Sequence, residues 1–346
     1  MEKNLDKKIR LRYFISSKDS AFDSQVKALL QKYKTNQEIS EARLIDISET
    51  NIINIIKDAI KNRNKVDICH ARGENAAFYA YIYSAITESK LVVDIRGAKY
   101  EEIDCFDSFI LKRYLKKGLL RLLFSLLKNS ATFSCVSESL RDYLCEKYSI
   151  DREIISLNHC IAGDGFVFDK AKRKEIRDQL KVNEEELLFV MINGGNSPWQ
   201  NIDDILEKVD DGRSKLLLIS KNEFCKKNDN VIWKKLKHEE VAHYLSAADV
   251  GMVFREENIV NKVACPIKFV EYISCGLPII TSGNVDFIRE FILKYKCGVI
   301  LNINNMPEKI DIEVFNREKI SMDGKKMFSI NRISEDYLRL YRDVIS

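Results

Sequence analysis

Pro266, Lys268 and Glu271, in the run CPIKFVEYISCGLPIITS, are residue types at a spacing that could hold an anion bearing hydroxyl groups. Proline suits the first turn of a helix, where its missing N–H costs nothing. Lys268 then lies within a turn of the helix start, where unpaired N–H groups and the helix dipole favour negative charge. Glu271, three residues on, sits on an adjacent face and can accept hydrogen bonds from a pair of sugar hydroxyls. Arg255 leaves the preceding apolar run ADVGMVF, so a guanidinium, an ammonium and a helix end can converge on one diphosphate. In isolation, P-x-K-x-x-E reads more simply as a solvated helix start with one Lys–Glu pair, worth about 0.2–0.5 kcal/mol.

Other candidates lie where apolar runs end. Gly194 and Gly195 follow LLFVMIN directly, so backbone there can approach a phosphate or sugar closely; an ordinary strand-to-helix turn explains the pattern as well. His70 and Arg72 follow the run VDIC, and Arg96 follows LVVDI, which puts all three at a sheet's carboxyl edge. Asp94 and Glu101 are candidate acid or base residues without a partner that spacing identifies. His159, His238 and His243 read as structural or surface residues.

From Phe109 to Lys128 the chain contains no acid and carries six cations, at 112, 113, 116, 117, 121 and 128. They cover about half of a helical circumference, with Leu, Phe and Tyr filling the rest. Two readings stand: a sheet-packing helix with a solvated basic face, or a helix resting on an anionic membrane surface. Gly118 weakens either by up to about 1 kcal/mol relative to alanine.

These residues need elements to position them. At 346 residues, 45% hydrophobic and 31% charged, the chain is long enough for two globular domains. The net charge of +4 does not call for nucleic acid. Nine cysteines without a C-x-x-C pair give neither a disulfide framework nor a zinc site, and the four histidines show no metal-ligand grouping. No cofactor or metal is expected. The N-terminus has no signal-peptide pattern, and no apolar run reaches about 18 residues, so neither a leader nor a membrane span is expected.

Strand-length apolar runs alternate with helical periods, the pattern of parallel sheets covered by helices. Strands are predicted at 9–15, 42–47, 66–69, 91–94, 131–136 and 154–157, then at 187–192, 215–219, 231–233, 250–254, 278–281 and 299–301. The predicted class is α/β, two doubly wound domains, 1–165 and 166–329. A last helix over 330–346, with Ile333, Tyr337, Leu340 and Tyr341 at helical spacing, is expected to pack back on the first domain.

The stretch from Ala248 to Ser282 resembles the donor site of retaining GT-B glycosyltransferases, especially glycosyltransferase family 4, whose E-A-M-A-x-G-x-P-V-I signature EYISCGLPII is similar to. By this likeness Glu271 is the second Glu of the family's Glu, seven residues, Glu motif and holds a ribose. The first Glu falls at Val263, where no carboxylate stands. Asn261, Pro266, Lys268 and Glu271 resemble a variant run of some bacterial surface-polysaccharide transferases. Weaker likenesses lie at Asp23–Val26, at HARG from His70, at DIRG from Asp94 and at CVSESL before Arg141. Where the family usually has an Arg and a Lys after the first strand of its second domain, this chain has Asn193, Asn196 and Gln200.

The resemblance implies a GT-B protein whose second domain binds the nucleotide-sugar and whose first receives the acceptor, with the active site in the cleft between them. It implies transfer of a sugar from a UDP- or GDP-sugar to a polysaccharide or lipid-linked oligosaccharide, with retention and without an essential metal. The catalytic set expected is Arg255, Lys268 and His70. Nucleotide-sugar binding falls to Gly194, Gly195, Asn261, Pro266, Lys268 and Glu271, and the acceptor or phosphate side to Arg72 and Arg96. The expected location is the cytoplasm, with contact at the inner membrane face through 109–128. The alternatives are a sugar-nucleotide epimerase and a non-catalytic GT-B partner subunit. A nicotinamide reductase is disfavoured, because no G-x-G-x-x-G joins a first strand to a helix.

Overall fold

The computed structural model describes residues 8–18, 22–106, 109–193, 214–221, 229–302 and 311–346. The chain divides into two units, one built from Met1–His159 with Ile330–Ser346 and one from Cys160–Ser329. The changeover at His159 precedes the glycines of 163 and 165. Beyond it the chain is tied into the second unit: Cys160 Sγ bonds the Cys265 carbonyl, Ala162 N–H bonds the Phe328 carbonyl, and the Phe166 ring is buried.

The first unit is a six-stranded parallel sheet, β1 (Ile9–Ile15), β2 (Ile39–Asp46), β3 (Ile68–Arg72), β4 (Lys90–Ile95), β5 (Thr132–Cys135) and β6 (Ile155–Leu157). Its spatial order is β2-β1-β3-β4-β5-β6. The chain leaves β1 toward one edge and returns on its other side, so the connections diverge between β1 and β3. Helices α1 (Ala28–Lys34), α2 (Ile52–Lys61), α3 (Glu74–Thr87), α4 (Lys99–Phe106), α5 (Ile110–Leu127) and α6 (Glu138–Tyr148) connect the strands. Helix coverage of a parallel sheet is why its strands read as apolar runs.

β3 runs three residues further than the apolar run VDIC suggests, and this corrects the placement of His70. Its ring is fully buried, stacked on Tyr13 at 4.3 Å, with Nδ1 2.7 Å from the Tyr341 hydroxyl. Burial pushes its pKa down to about 4, so the imidazole is neutral. His70 is a packing residue of the first unit and presents no ring atom at a surface.

The second unit is a second parallel sheet: β7 (Leu187–Asn193), β8 (Ser214–Ser220), β9 (Val231–Lys234), β10 (Val250–Val253), β11 (Ile279–Thr281) and β12 (Gly298–Ile300), in the order β12-β11-β10-β7-β8-β9. Among the described residues the helices are α7 (Lys170–Leu180), α8 (His238–Ala247), α9 (Ile259–Lys262), α10 (Ile267–Ser274), α11 (Asp286–Tyr295) and α12 (Arg317–Phe328). Connections diverge between β7 and β10. In open α/β sheets, ligands bind beyond the carboxyl ends at such a switch point.

At the opposite end of β10 a buried charge cluster locks the unit. Asp249 accepts from Leu188 N–H at 2.7 Å, Arg173 at 2.6 Å and the fully buried Arg177 at 3.1 Å. Arg317 lies over the Phe168 ring at 4.0 Å and donates to the Ala248 carbonyl at 2.8 Å. One carboxylate thus ties α7 to the amino ends of β7 and β10, beside the α12 arginine.

The last helix, α13 (Ile330–Ile345), belongs to the first unit. Ile333, Tyr337, Leu340 and Tyr341, the residues at helical spacing, are all buried, and the Tyr337 and Tyr341 rings meet His70 edge-on.

α5 departs from the reading of a sheet-packing helix with a solvated basic face. Leu120, Phe124 and Leu127 are buried, with Phe124 stacked on Tyr148 at 3.8 Å. Leu111, Leu115, Leu119, Leu122 and Leu126 occupy the opposite side and are exposed, Leu111 to 83%. The solvent-facing stripe is therefore apolar. At 100° per residue, Lys112 and Lys116 border it on one flank, Arg121 and Lys128 on the other. Arg113 and Lys117 turn inward to Asp104, Lys117 at 2.5 Å.

Candidate functional site

β10 ends at Val253, and the chain passes through Phe254 to Arg255 at the carboxyl edge of the second sheet. Neighbouring β11 fixes it there. Arg255 N–H donates to Ser282 Oγ at 3.3 Å, and its carbonyl accepts from Ser282 Oγ at 3.0 Å and Asn284 Nδ2 at 2.8 Å. Among the described residues no carboxylate pairs with the guanidinium. Burial pushes its pKa down to about 10, which leaves it protonated at neutral pH. A partly desolvated cation without its own carboxylate is a suitable anion ligand.

The chain then returns through α9 to the start of α10. Asn258 caps α9 by accepting from Asn261 N–H at 2.8 Å, and buried Asn261 donates Nδ2 to the Glu256 carbonyl at 2.9 Å. Asn261 thus shapes the loop, and that amide hydrogen is spent within it. Pro266 is the cap residue and α10 begins one position later, at Ile267. The first N–H groups of this eight-residue helix have no intrahelical acceptor. Lys268, one residue into the helix, is held only loosely: its Nζ lies 3.9 Å from Glu271 Oε2 and its side chain is 35% exposed.

Glu271 is 2% exposed, a depth at which a carboxylate needs partners. One is Lys268; the other is His238 at the start of α8, whose Nε2 lies 3.2 Å from Glu271 Oε1. That contact raises the His238 pKa, mainly through the hydrogen bond to the carboxylate. His238 had read as structural or surface; no sequence signal joins it to Glu271. After Glu271, α10 ends in the Cys275-Gly276 turn. Gly276 has φ +70°, and a Cβ there would meet the Arg317 carbonyl oxygen at 2.4 Å, so the turn requires glycine.

Arg255, Asn261, Pro266, Lys268 and Glu271 therefore come together at one end of one sheet. Gly194, Gly195, Asn196 and Gln200 lie outside the described residues; Asn193 ends β7, beside β10. Val263 is buried, so the position where the family's first Glu would stand faces the interior.

Arg72 and Arg96 belong to the first unit, as does His70. Both arginines reach Asp94, at 3.7 Å and 3.4 Å, and Arg96 also reaches the Asn158 carbonyl at 3.3 Å. Fully buried Asp94 takes a third bond from Ser134 Oγ at 3.1 Å. Asp94 is thus an anchor for two guanidinium groups, and its carboxylate is committed to them. Glu101 is likewise paired, with Lys147 at 2.8 Å and the Tyr143 hydroxyl at 3.3 Å.

No family model matches the chain, and no curated protein matches its sequence. Solved structures do match. Sucrose-phosphate synthase of Thermosynechococcus elongatus superposes with a TM-score of 0.71 at 13% identity, covering 97% of this chain and 99% of that one. HepE of Anabaena in complex with UDP gives 0.70 at 11% identity, covering 97% and 100%, and it was also solved with UDP-glucose. WaaG, a glycosyltransferase involved in lipopolysaccharide biosynthesis, gives 0.61 at 12% identity, covering 96% and 94%. The fold of this chain is GT-B: two parallel six-stranded sheets with helices, as in these glycosyltransferases.

Proposed function

We propose that this chain transfers a sugar from a nucleoside-diphosphate sugar to a glycan or lipid-linked glycan, with retention of anomeric configuration and no essential metal. One observation carries this: at the switch point of the second sheet, Arg255, paired with no described carboxylate, shares an edge with Lys268 and the start of α10. That arrangement suits a diphosphate. The UDP and UDP-glucose complexes of HepE, which has the same fold, support a nucleotide-sugar as the guest.

In the proposed reaction the bond between the sugar C1 and the diphosphate oxygen breaks, and negative charge grows on the leaving oxygen. Arg255, Lys268 and the α10 N–H groups stabilise it there. The acceptor hydroxyl attacks C1 from the same face, and its proton passes to the departing phosphate oxygen. Glu271 holds the ribose hydroxyls. Arg72 and Arg96, both held by Asp94, are assigned to the acceptor or phosphate side.

The test is product analysis with UDP- and GDP-sugars, in EDTA, with and without a lipid-linked glycan. Nucleoside diphosphate release that depends on acceptor is the expected result. An altered sugar from donor alone would identify an epimerase, and an unchanged donor with every acceptor would favour a non-catalytic partner.

The acceptor is proposed to wait at the inner face of an anionic membrane, on which α5 rests. Its exposed leucines would enter the apolar boundary while the flanking cations meet lipid phosphates. Each such cation is worth about 1 kcal/mol near the surface. The full chain is expected to co-sediment with phosphatidylglycerol vesicles and much less with phosphatidylcholine. Leu115→Ser with Leu122→Ser should weaken binding at least about tenfold, since burying one leucine contributes about 1.5–3 kcal/mol. A wild-type protein that stays in the supernatant at low salt contradicts the membrane contact.

A further inference from the structure

The Glu271 carboxylate is gripped by a side chain from a different helix, and this grip has chemical consequences. His238 opens α8, 33 positions from Glu271 in sequence, and meets it at 3.2 Å. The ring is constrained on another side by Phe166, edge-on at 5.2 Å between centroids. Its side chain is half exposed whereas Glu271 is buried, so the imidazole lies between the carboxylate and solvent. In the neutral ring one N–H can be given to Glu271 while the other nitrogen accepts; in the protonated ring both nitrogens donate and the pair carries no net charge.

We infer that His238 is a positioning residue of the donor site, one that fixes the Glu271 carboxylate for the ribose and strengthens donor binding as it becomes protonated. The inference rests on the donor-site assignment of Glu271 above. A carboxylate oxygen that accepts from His238 at a fixed angle keeps its remaining lone pairs aimed in one direction. A positively charged ring beside it also offsets the negative charge that Glu271 presents to an anionic donor.

Among the described residues, the groups that shift His238 are Glu271 of α10, which raises its pKa, Lys268 of α10, which lowers it, and Glu239 of its own helix, which raises it; burial lowers it, and Phe166 is uncharged. The Glu271 effect dominates and the net direction is upward from 6.5. The protonated pair is thus complete below that value and is lost as pH rises through the elevated midpoint. Donor affinity should follow the same sense, tighter at low pH.

UDP-glucose and GDP-glucose are suitable probes, because a diphosphate esterified at both ends keeps its charge between pH 5.5 and 8.5. Affinity is measured by calorimetry across that range for the full chain, His238→Gln, His238→Ala and Glu271→Gln. The wild type should bind about fivefold tighter at the acid end, the size of one solvent-screened ionic contact. His238→Gln, which can still donate to Glu271 but does not titrate, should bind with no pH slope. His238→Ala should bind weakly throughout, as should Glu271→Gln. A His238→Gln protein that retains the wild-type slope, or a His238→Ala protein with wild-type affinity, overturns the inference while leaving the donor site intact. Absence of donor binding by the wild type overturns the donor site and this inference together.

Discussion

Lys268→Ala and Arg255→Ala each weaken nucleotide-sugar binding by about 10- to 150-fold while the protein still folds. The magnitude is that of one charge-assisted hydrogen bond, about 1.5–3 kcal/mol. Neither substitution leaves a buried group bare, since Glu271 keeps its closer partner His238 at 3.2 Å when Lys268 is removed. Lys268 is partly exposed and 3.9 Å from its nearest carboxylate, and Arg255 is anchored through its backbone by Ser282 and Asn284, which the substitution leaves in place. Removing Arg255 also removes a desolvated charge, so its folded state should be no less stable than the wild type. Calorimetric titration, beside a thermal melt of each variant without ligand, gives both quantities. Wild-type donor affinity in a folded Lys268→Ala or Arg255→Ala protein would remove that residue from the site.

Asp249→Ala destabilises the second unit by about 3–5 kcal/mol, the cost of leaving buried charge without its partner. Two arginines and the Leu188 N–H converge on this carboxylate, and the fully buried Arg177 cannot turn to water. The partially exposed Arg173 can, so the penalty comes mostly from Arg177. Urea unfolding followed by tryptophan fluorescence measures it, since Trp199 and Trp233 both belong to the second unit. The double variant Asp249→Ala, Arg177→Met should recover part of the loss, because the uncompensated cation is then gone. A single variant as stable as wild type would show that the cluster is relaxed by solvent.

The strands were legible because helix-covered parallel strands are buried on both faces and spell short apolar runs. The placement of the candidate residues was legible because Pro266, Lys268 and Glu271 lie within one turn and a half at the start of a single helix, and Arg255 at the end of the strand before it. What failed to show was whatever depends on which elements become neighbours. His238 reaches Glu271 only because α8 and α10 flank the same end of one sheet. Ser282 and Asn284 reach Arg255 because β11 pairs with β10.

His70 was misplaced for a related reason. A polar residue after VDIC looks like the end of a strand, yet the chain stays extended to Arg72, and the buried imidazole is accommodated by tyrosines from β1 and from the last helix. No local window contains that partner. In α5, spacing gave two arcs but not which arc packs. Phe124 finds Tyr148 and Phe133, and this turns the leucines at 111, 115 and 122 outward.

The most direct measurement of the central claim, that the β10–α10 edge holds a nucleotide-sugar, is a thermal-shift screen of UDP-, GDP-, CDP- and TDP-sugars at equal concentration on the full chain and on Lys268→Ala. Binding to the folded state alone stabilises it by about 2.7 kcal/mol at a hundredfold excess over Kd. The predicted result is a rise in Tm with one nucleotide class, strongly reduced in Lys268→Ala. No shift with any of the four, or a shift that Lys268→Ala retains in full, would contradict it.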